Sequence, residues 1–227
     1  MSNSPQGSIL LWHDLVPVGR NAFSAWHISE HIPSRVNLPG FISGRRYAAL
    51  DPLQGYLCWY ELDDRGVLDA DAYRSALEQI PSPREQSVEP YFQGIARSVS
   101  DITWSMGQGV GGLVAVYRYR VSDAACTTHR EQVMACIAPL VADGQLVAAS
   151  LHHVETHLNL RPEQARPAPT EVLILESAEA PADLESLCLR HVDPVLIHGE
   201  GVCLDTVACY RLQISMLAPL RRVNVIA

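Results

Sequence analysis

An α+β fold made of two similar tandem units is what this chain predicts, on three observations. The order strand, helix, strand, strand, helix, strand can be read from Ser8 to Met106; a glycine-rich break follows at Gly107 to Gly112; and the same order returns from Leu113 to Ile214. A single unit of this kind leaves one apolar sheet face bare, so two of them can cover each other. The boundaries follow as residues 1–108 and 112–227.

In the first unit, Ser8 to Val16 (SILLWHDLV) alternates as a strand, with Ile9, Leu11, His13 and Leu15 on one face and Leu10, Trp12, Asp14 and Val16 on the other. Asn21 can cap a helix to about Val36, whose stripe is Phe23, Trp26, His27, Glu30 and His31, and Pro33 ends or bends its last turn. The turn NLPG at Asn37 to Gly40 leads into strands Phe41 to Ala49 and Gln54 to Leu62. On the second of these, Tyr56, Cys58 and Tyr60 share a face. A helix from Asp69 to about Ile80 and a strand within Tyr91 to Met106, most of it from Ala96, complete the unit.

The second unit reads as strand Leu113 to Val121, helix Ala124 to Val141, strands Leu146 to His153 and Glu171 to Glu176, helix Pro181 to Leu189 and strand Cys203 to Ile214. Asn159 to Thr170, with three prolines, is a loop. His152, His153 and His157 lie at the end of a strand and read as a solvated run, because neighbouring strand residues face apart and cannot share a metal.

Composition narrows the chemistry. The net charge is -8 with no basic block, which argues against nucleic acid and anionic membranes as partners and for a small, hydrophobic substrate. All 17 cationic residues are arginine, so Schiff-base lysines, lysine-anchored pyridoxal phosphate and a P-loop lysine are excluded. The 6 cysteines form no CxxC pair and sit mostly among apolar residues, as in a reducing compartment. With no leader-like segment and no run approaching the ~20 apolar residues of a membrane span, a cytoplasmic protein is expected.

The densest chemistry lies in Ala25 to Tyr47 (AWHISEHIPSRVNLPGFISGRRY). His27 and His31, four residues apart, share one helix face about one turn from each other. They suit a base and its partner, since imidazole titrates near cellular pH. They also suit two metal ligands if His13 or Glu30 supplies a third, or a structural role closing the helix onto the sheet. Arg46 could hold a carboxylate or enolate oxygen. Arg46 and Tyr47 face opposite ways, and spacing alone does not say which one enters the site. Trp12 and Trp26 could line an apolar pocket for a ring substrate.

A helix reading WHxxEHxPxR, then LPGF and a strand carrying RRY, resembles the EthD-like branch of the dimeric α+β barrel superfamily. Here the pattern stands as Trp26, His27, Glu30, His31, Pro33, Arg35, Leu38, Pro39, Gly40, Phe41, Arg46 and Tyr47. The resemblance covers roughly Ser8 to Met106. It implies ferredoxin-like βαββαβ units, here two in tandem forming an intramolecular pseudo-dimer, with further homodimerisation open. The second unit departs from the pattern, having only His129 on its first helix and no RRY strand. The superfamily spans monooxygenases, cyclases, isomerases, decarboxylases and haem enzymes, so the fold does not choose a reaction.

The functional expectation is a cofactor-independent enzyme doing histidine-mediated acid–base chemistry, of isomerase, cyclase or lyase type, on an aromatic or polyketide-like carbonyl compound. His27, His31 and His13 are its catalytic candidates; Trp26, Glu30, Arg46, Tyr47 and Trp12 are its substrate-binding candidates, around an enclosed apolar chamber between helix and sheet. A haem- or metal-dependent oxygenase or dehydratase, and a non-catalytic binding protein, are the alternatives.

Overall fold

A computed structural model describes residues 4–51, 55–155 and 168–219. Its strands are β1 (Gly7–Leu15), β2 (Phe41–Ala49), β3 (Tyr56–Leu62), β4 (Phe92–Gly107), β5 (Leu113–Val121), β6 (Ala148–Val154), β7 (Glu171–Ser177) and β8 (Val202–Leu217). They close into one antiparallel barrel in the order β1, β3, β2, β8, β5, β7, β6, β4. Within each half of the chain the neighbours follow the same pattern of fourth, first, third and second strand, which is the ferredoxin-like arrangement. The halves meet at two seams, β2 with β8 and β4 with β6. β4 and β8 can serve both their own half and the other because each is 16 residues long.

The first helix is built in three consecutive pieces: α1 (Arg20–Trp26), a wider π-helical turn (His27–His31) and α2 (Ile32–Val36). Pro33 explains the widening. It has no N–H to give to the carbonyl four residues back, and the residue before it, Ile32, donates instead to His27 O, five residues back. Pro33 therefore bends the helix as the sequence suggests, but upstream of itself, at the two histidines. The expected helix from Asp69 is shorter, a 3-10 turn at Arg65–Asp69 followed by α3 (Asp71–Leu77) and α4 (Pro83–Val88). In the second half α5 (Asp123–Ala142) is long and regular, while α6 (Pro181–Leu187) and α7 (Asp193–Ile197) flank another π-turn, again just before a proline.

Alternation divides every strand between the barrel interior and an outer face covered by helices. The interior packs Leu10, Trp12, Tyr47, Leu57 and Trp59 against Val114, Val116, Val172, Ile174 and Tyr210. Outside, Ile9, Cys58 and Tyr60 meet Tyr73, and Leu15 meets Phe23, Trp26 and Val88, while a larger cluster lies under α5 to α7. His152, an interior polar group, is paired on both sides. It is fully buried, with Nδ1 2.8 Å from Ser8 Oγ and Nε2 2.8 Å from Ser150 Oγ. The expectation of a solvated histidine run is thus wrong for His152, because the β4–β6 seam closes over it opposite Ile102. His153 faces outward onto Glu171, and His157 and most of the proline-rich loop lie outside the described residues.

The glycine-rich break is a close crossing. A Cβ on Gly111 would sit 2.5 Å from the backbone N of Ser177. Gly111→Ala is therefore expected to destabilise the fold by about 1–3 kcal/mol through overpacking against a strand that cannot yield, read as a lower denaturant midpoint at unchanged m-value. Among the described residues no helix is long and apolar enough to cross a membrane.

Candidate active site between the first helix and the barrel

β1, β2 and β3 carry His13, Arg46 and Cys58 onto the outer face, where the π-turn lowers His27 onto them. In the sheet, Cys58 lies opposite Leu11 on one side and Arg46 on the other. Its Sγ is 3.4 Å from His27 Nε2 and 3.9 Å from His13 Nε2. Burial pushes the Cys58 thiol up to about 12, so it stays protonated and its single S–H can serve one imidazole at a time. His31 stacks on His27 at 5.3 Å and 22°. Cys58 belongs to this cluster, although sequence reasoning left it among small buried residues; its strand register beside Arg46 places it there.

The enclosed apolar chamber expected here is instead filled with aromatic side chains. The His13 ring has Phe23 at 4.9 Å, Phe92 at 4.9 Å and Tyr56 stacked at 5.3 Å, and Phe23 also lies 5.0 Å from His27. Open space begins one layer out. His31 and Trp26 form the inner wall of a cleft of about 400 Å³, with Arg35 and Leu38 beside them and Leu77 and Ile80 on the far side.

Electrostatics keep all three imidazoles neutral. Burial lowers His13 to about 4 and His31 to about 3, and holds His27 well below the usual range; the Arg46 cation adds to this at His13 and His27. Arg46 itself is 3% exposed. It donates from Nε to Gln213 Oε1 at 2.9 Å and from Nη2 to Ser24 Oγ at 3.1 Å, with its guanidinium 5.2 Å over the Phe23 ring. Among the described residues it has no carboxylate partner, and Nη1 has no hydrogen-bond partner at all. His13 Nδ1, His27 Nδ1 and the Tyr60 hydroxyl are likewise buried without partners among those residues. A buried cation with neutral partners only is costly, and burial lowers the affinity of Arg46 for its proton.

His13, His27, His31, Trp26 and Arg46 are therefore brought together. Tyr47 and Trp12 are not: both point into the barrel, Tyr47 fully buried beside Arg45 and Trp12 under the Arg118 guanidinium at 4.4 Å. Glu30 stands at the cleft rim with both oxygens engaged, accepting from Ser82 Oγ at 2.6 Å and pairing with Arg84 at 3.2 Å, so it ties the α3–α4 connection to the π-turn. Gln213 and Ser24 hold Arg46 and were not legible in the sequence; Gln213 arrives across the β2–β8 seam, which joins residues more than 160 positions apart.

No group of three or more histidine, cysteine or acidic side chains is disposed to hold a metal among the described residues. No protein-family model and no curated protein matches the chain. Solved structures do. An anthrone oxidase-like protein is similar at a TM-score of 0.61 and 13% identity over 95% of this chain and 94% of its own. A candidate monooxygenase from Fusobacterium nucleatum is similar at 0.63 and 7% identity, over 95% and 96%. A haem-binding protein from Thermus thermophilus is similar at 0.55 and 8% identity, over 92% of each chain.

The haem-binding neighbour overturns the expectation of cofactor independence. Haem would need an imidazole nitrogen facing a space as wide as the macrocycle. His13 and His27 do not offer that, walled in by Phe23, Tyr56, Phe92 and Cys58. His31 borders the outer cleft, which Arg35, Leu38, Leu77 and Ile80 also line, so His31 and Arg35 are the residues that would hold the group. Bound there, haem would supply electron transfer to an oxidant. At identities of 13% and below, these likenesses show the fold alone: the chain has the dimeric α+β barrel fold, with both ferredoxin-like halves in one polypeptide.

Proposed function

We propose that this chain is an acid–base enzyme of oxygenase type, acting on a small apolar ring compound whose acidic hydroxyl, or C–H next to a carbonyl, is deprotonated beside Arg46. One observation carries this: a buried guanidinium with no carboxylate among the described residues, an Nη1 without a hydrogen-bond partner and neutral imidazoles around it. Such a group is ready for an anion that a substrate brings or develops. His27 is the acceptor of choice, with His13 reached through Cys58 and His31 stacked on its outer face.

The lowered basicity of these rings has a consequence for substrate class. A neutral imidazole held well below its usual range is a weak base, so a phenol, or a methylene flanked by carbonyl and aryl groups, gives up its proton only as the anion forms against Arg46. The developing oxyanion beside Arg46 in turn raises the basicity of His27, so proton transfer and anion pairing assist each other. The outer cleft stops at His31 and Trp26, so a ring substrate reaches Arg46 only when these two rings swing aside. The anthrone oxidase-like and monooxygenase neighbours favour oxidation of the resulting anion over the isomerase, cyclase or lyase outcome, which shares this first step.

Anthrone is a suitable probe: its activated CH2 and one O2 give the quinone C=O and one H2O. Arg46→Gln and His27→Asn are each expected to lower kcat/KM for O2 uptake by at least about 100-fold, as for loss of an oxyanion donor or a general base, with the near-UV signature of the fold retained. Equal activity of both variants would overturn the assignment. A visible band in the haem Soret region of protein purified from haem-replete cells tests the place of His31; His31→Ala should then abolish the band.

A further inference from the structure

We propose that Gln213, contributed by the second half of the chain, is the positioning and specificity residue of the Arg46 site: it fixes the guanidinium in place without neutralising it, so that the cation stays available to one anionic group of a ligand. This rests on the anion-binding role given to Arg46 above and names what keeps that role open.

Two neighbouring arginines show the difference. Arg45 and Arg46 are adjacent on β2 and face opposite ways. Both are buried. Arg45 is met by two carboxylates, Glu61 at 3.0 Å and Glu176 at 3.2 Å. Arg46 is met by neutral acceptors, Gln213 Oε1 at 2.9 Å from Nε and Ser24 Oγ at 3.1 Å from Nη2, and Nη1 has no partner among the described residues. The titratable groups that face it are His13 from β1, His27 from the π-turn, and Tyr56, Cys58 and Tyr60 from β3. None of them is a carboxylate. An amide thus stands where a glutamate of the same length would have paired the cation.

Gln213 reaches this position through an irregularity in β8. Across the seam Ile214 lies opposite Arg46 and Leu212 opposite Tyr47, so Gln213 is an extra residue with no partner on β2. Such a bulge bends its strand and re-aims one side chain. Here the re-aimed side chain is the one that accepts from Nε. Gln213 is otherwise exposed, so core packing does not account for its place. With Nε held from β8 and Nη2 from α1, the planar guanidinium keeps one orientation over the Phe23 ring. The histidines of the site all come from the first half, and the second half completes it.

The test is binding of 4-nitrophenol to the full chain, read from the visible band of its phenolate, beside kcat/KM for anthrone-dependent O2 uptake. In the parent the bound phenol should ionise at least about one pH unit below the free compound, a tenfold preference for the anion. Gln213→Glu keeps an acceptor at Nε but pairs the cation, so this shift should vanish and kcat/KM should fall about tenfold or more. Gln213→Met removes the acceptor and adds no charge: the shift should remain while affinity weakens about threefold or more. Denaturant midpoints close to the parent's show that the variants fold. If Gln213→Glu does not, Ser24→Asp pairs Nη2 instead and should abolish the shift in the same way. The parent's shift in the carboxylate variant, or the parent's affinity in Gln213→Met, would overturn the part assigned to Gln213 and leave that of Arg46 standing. A parent that binds no nitrophenol, or binds it without the shift, would overturn the anion role of Arg46 and this inference with it.

Discussion

Lowering the pH from 7.5 to 5.5 is expected to remove on the order of 4 kcal/mol of folding stability, before any carboxylate titrates. His13, His27 and His152 are buried and held neutral, His13 at about 4 and His152 at about 3, all by desolvation first. In the unfolded chain each returns to about 6.5. The sign follows from linkage: folded values lie below unfolded ones, so unfolding takes up protons, and the stability is full above pH 6.5 and is lost as pH falls towards 4. One pH unit below 6.5 each group contributes a loss of about 1.4 kcal/mol. His31, lowered to about 3, adds a further loss of similar size to these three.

Charges facing these rings do not rescue them. Arg46 disfavours protonation of His13 and His27, and His152 sees two serine hydroxyls and the edge of Trp59 at 5.7 Å. Against a total stability of about 5–15 kcal/mol, a loss of this size brings unfolding close to neutral pH. Denaturant midpoints at pH 7.5, 6.5 and 5.5, with proton uptake from calorimetry in buffers of different ionisation enthalpy, measure it. Stability independent of pH across this window would refute it, and His152→Gln should remove close to one proton from the uptake.

The same residues show how much the sequence could tell. Alternation in β1 placed His13 with Ile9, Leu11 and Leu15, and the 3.6-residue period placed His27 over it; local rules suffice where both partners lie on adjacent elements. The two-unit order was legible for the same reason, since each element has its own period and turn. Facts that need the barrel to close were not. Alternation separates Arg46 from Tyr47, but only the inward curvature of the closed sheet says that Tyr47 and Trp12 belong to the interior. His152 looks like a strand end until β4 pairs across it, and Arg46 looks unsupported until β8 brings Gln213. The expected chamber failed on packing: Phe23, Tyr56 and Phe92 have the volume to fill it, which periodicity does not measure.

Arg45, the other half of the arginine pair, shows what closure contributes to stability, and its replacement by methionine should be the most damaging single change to the fold. It points into the barrel, 6% exposed, donating from Nη2 to Glu61 Oε2 at 3.0 Å and from Nη1 to Glu176 Oε1 at 3.2 Å. Its guanidinium also lies 4.6 Å from the Trp59 ring centre. Glu61 and Arg45 come from the first half and Glu176 from the second, so one cation joins both units. Ser43 Oγ donates to Glu61 and the Gly111 N–H to Glu176 Oε2 at 2.9 Å, which holds both carboxylates in place. Burial favours the neutral form of Glu176 and Arg45 opposes it. With Arg45→Met, two carboxylates remain buried without their cation, at a cost of about 3–5 kcal/mol. The pair must then take up a proton, so the deficit of the variant relative to the parent should shrink as pH falls towards 5, while both still lose the histidine contribution. Adding Glu176→Gln should restore part of the loss, because an amide can still accept from Gly111 without charge. A loss under about 1 kcal/mol for Arg45→Met, or no recovery in the double variant, would mean that the ionic link between the halves carries no stability of its own.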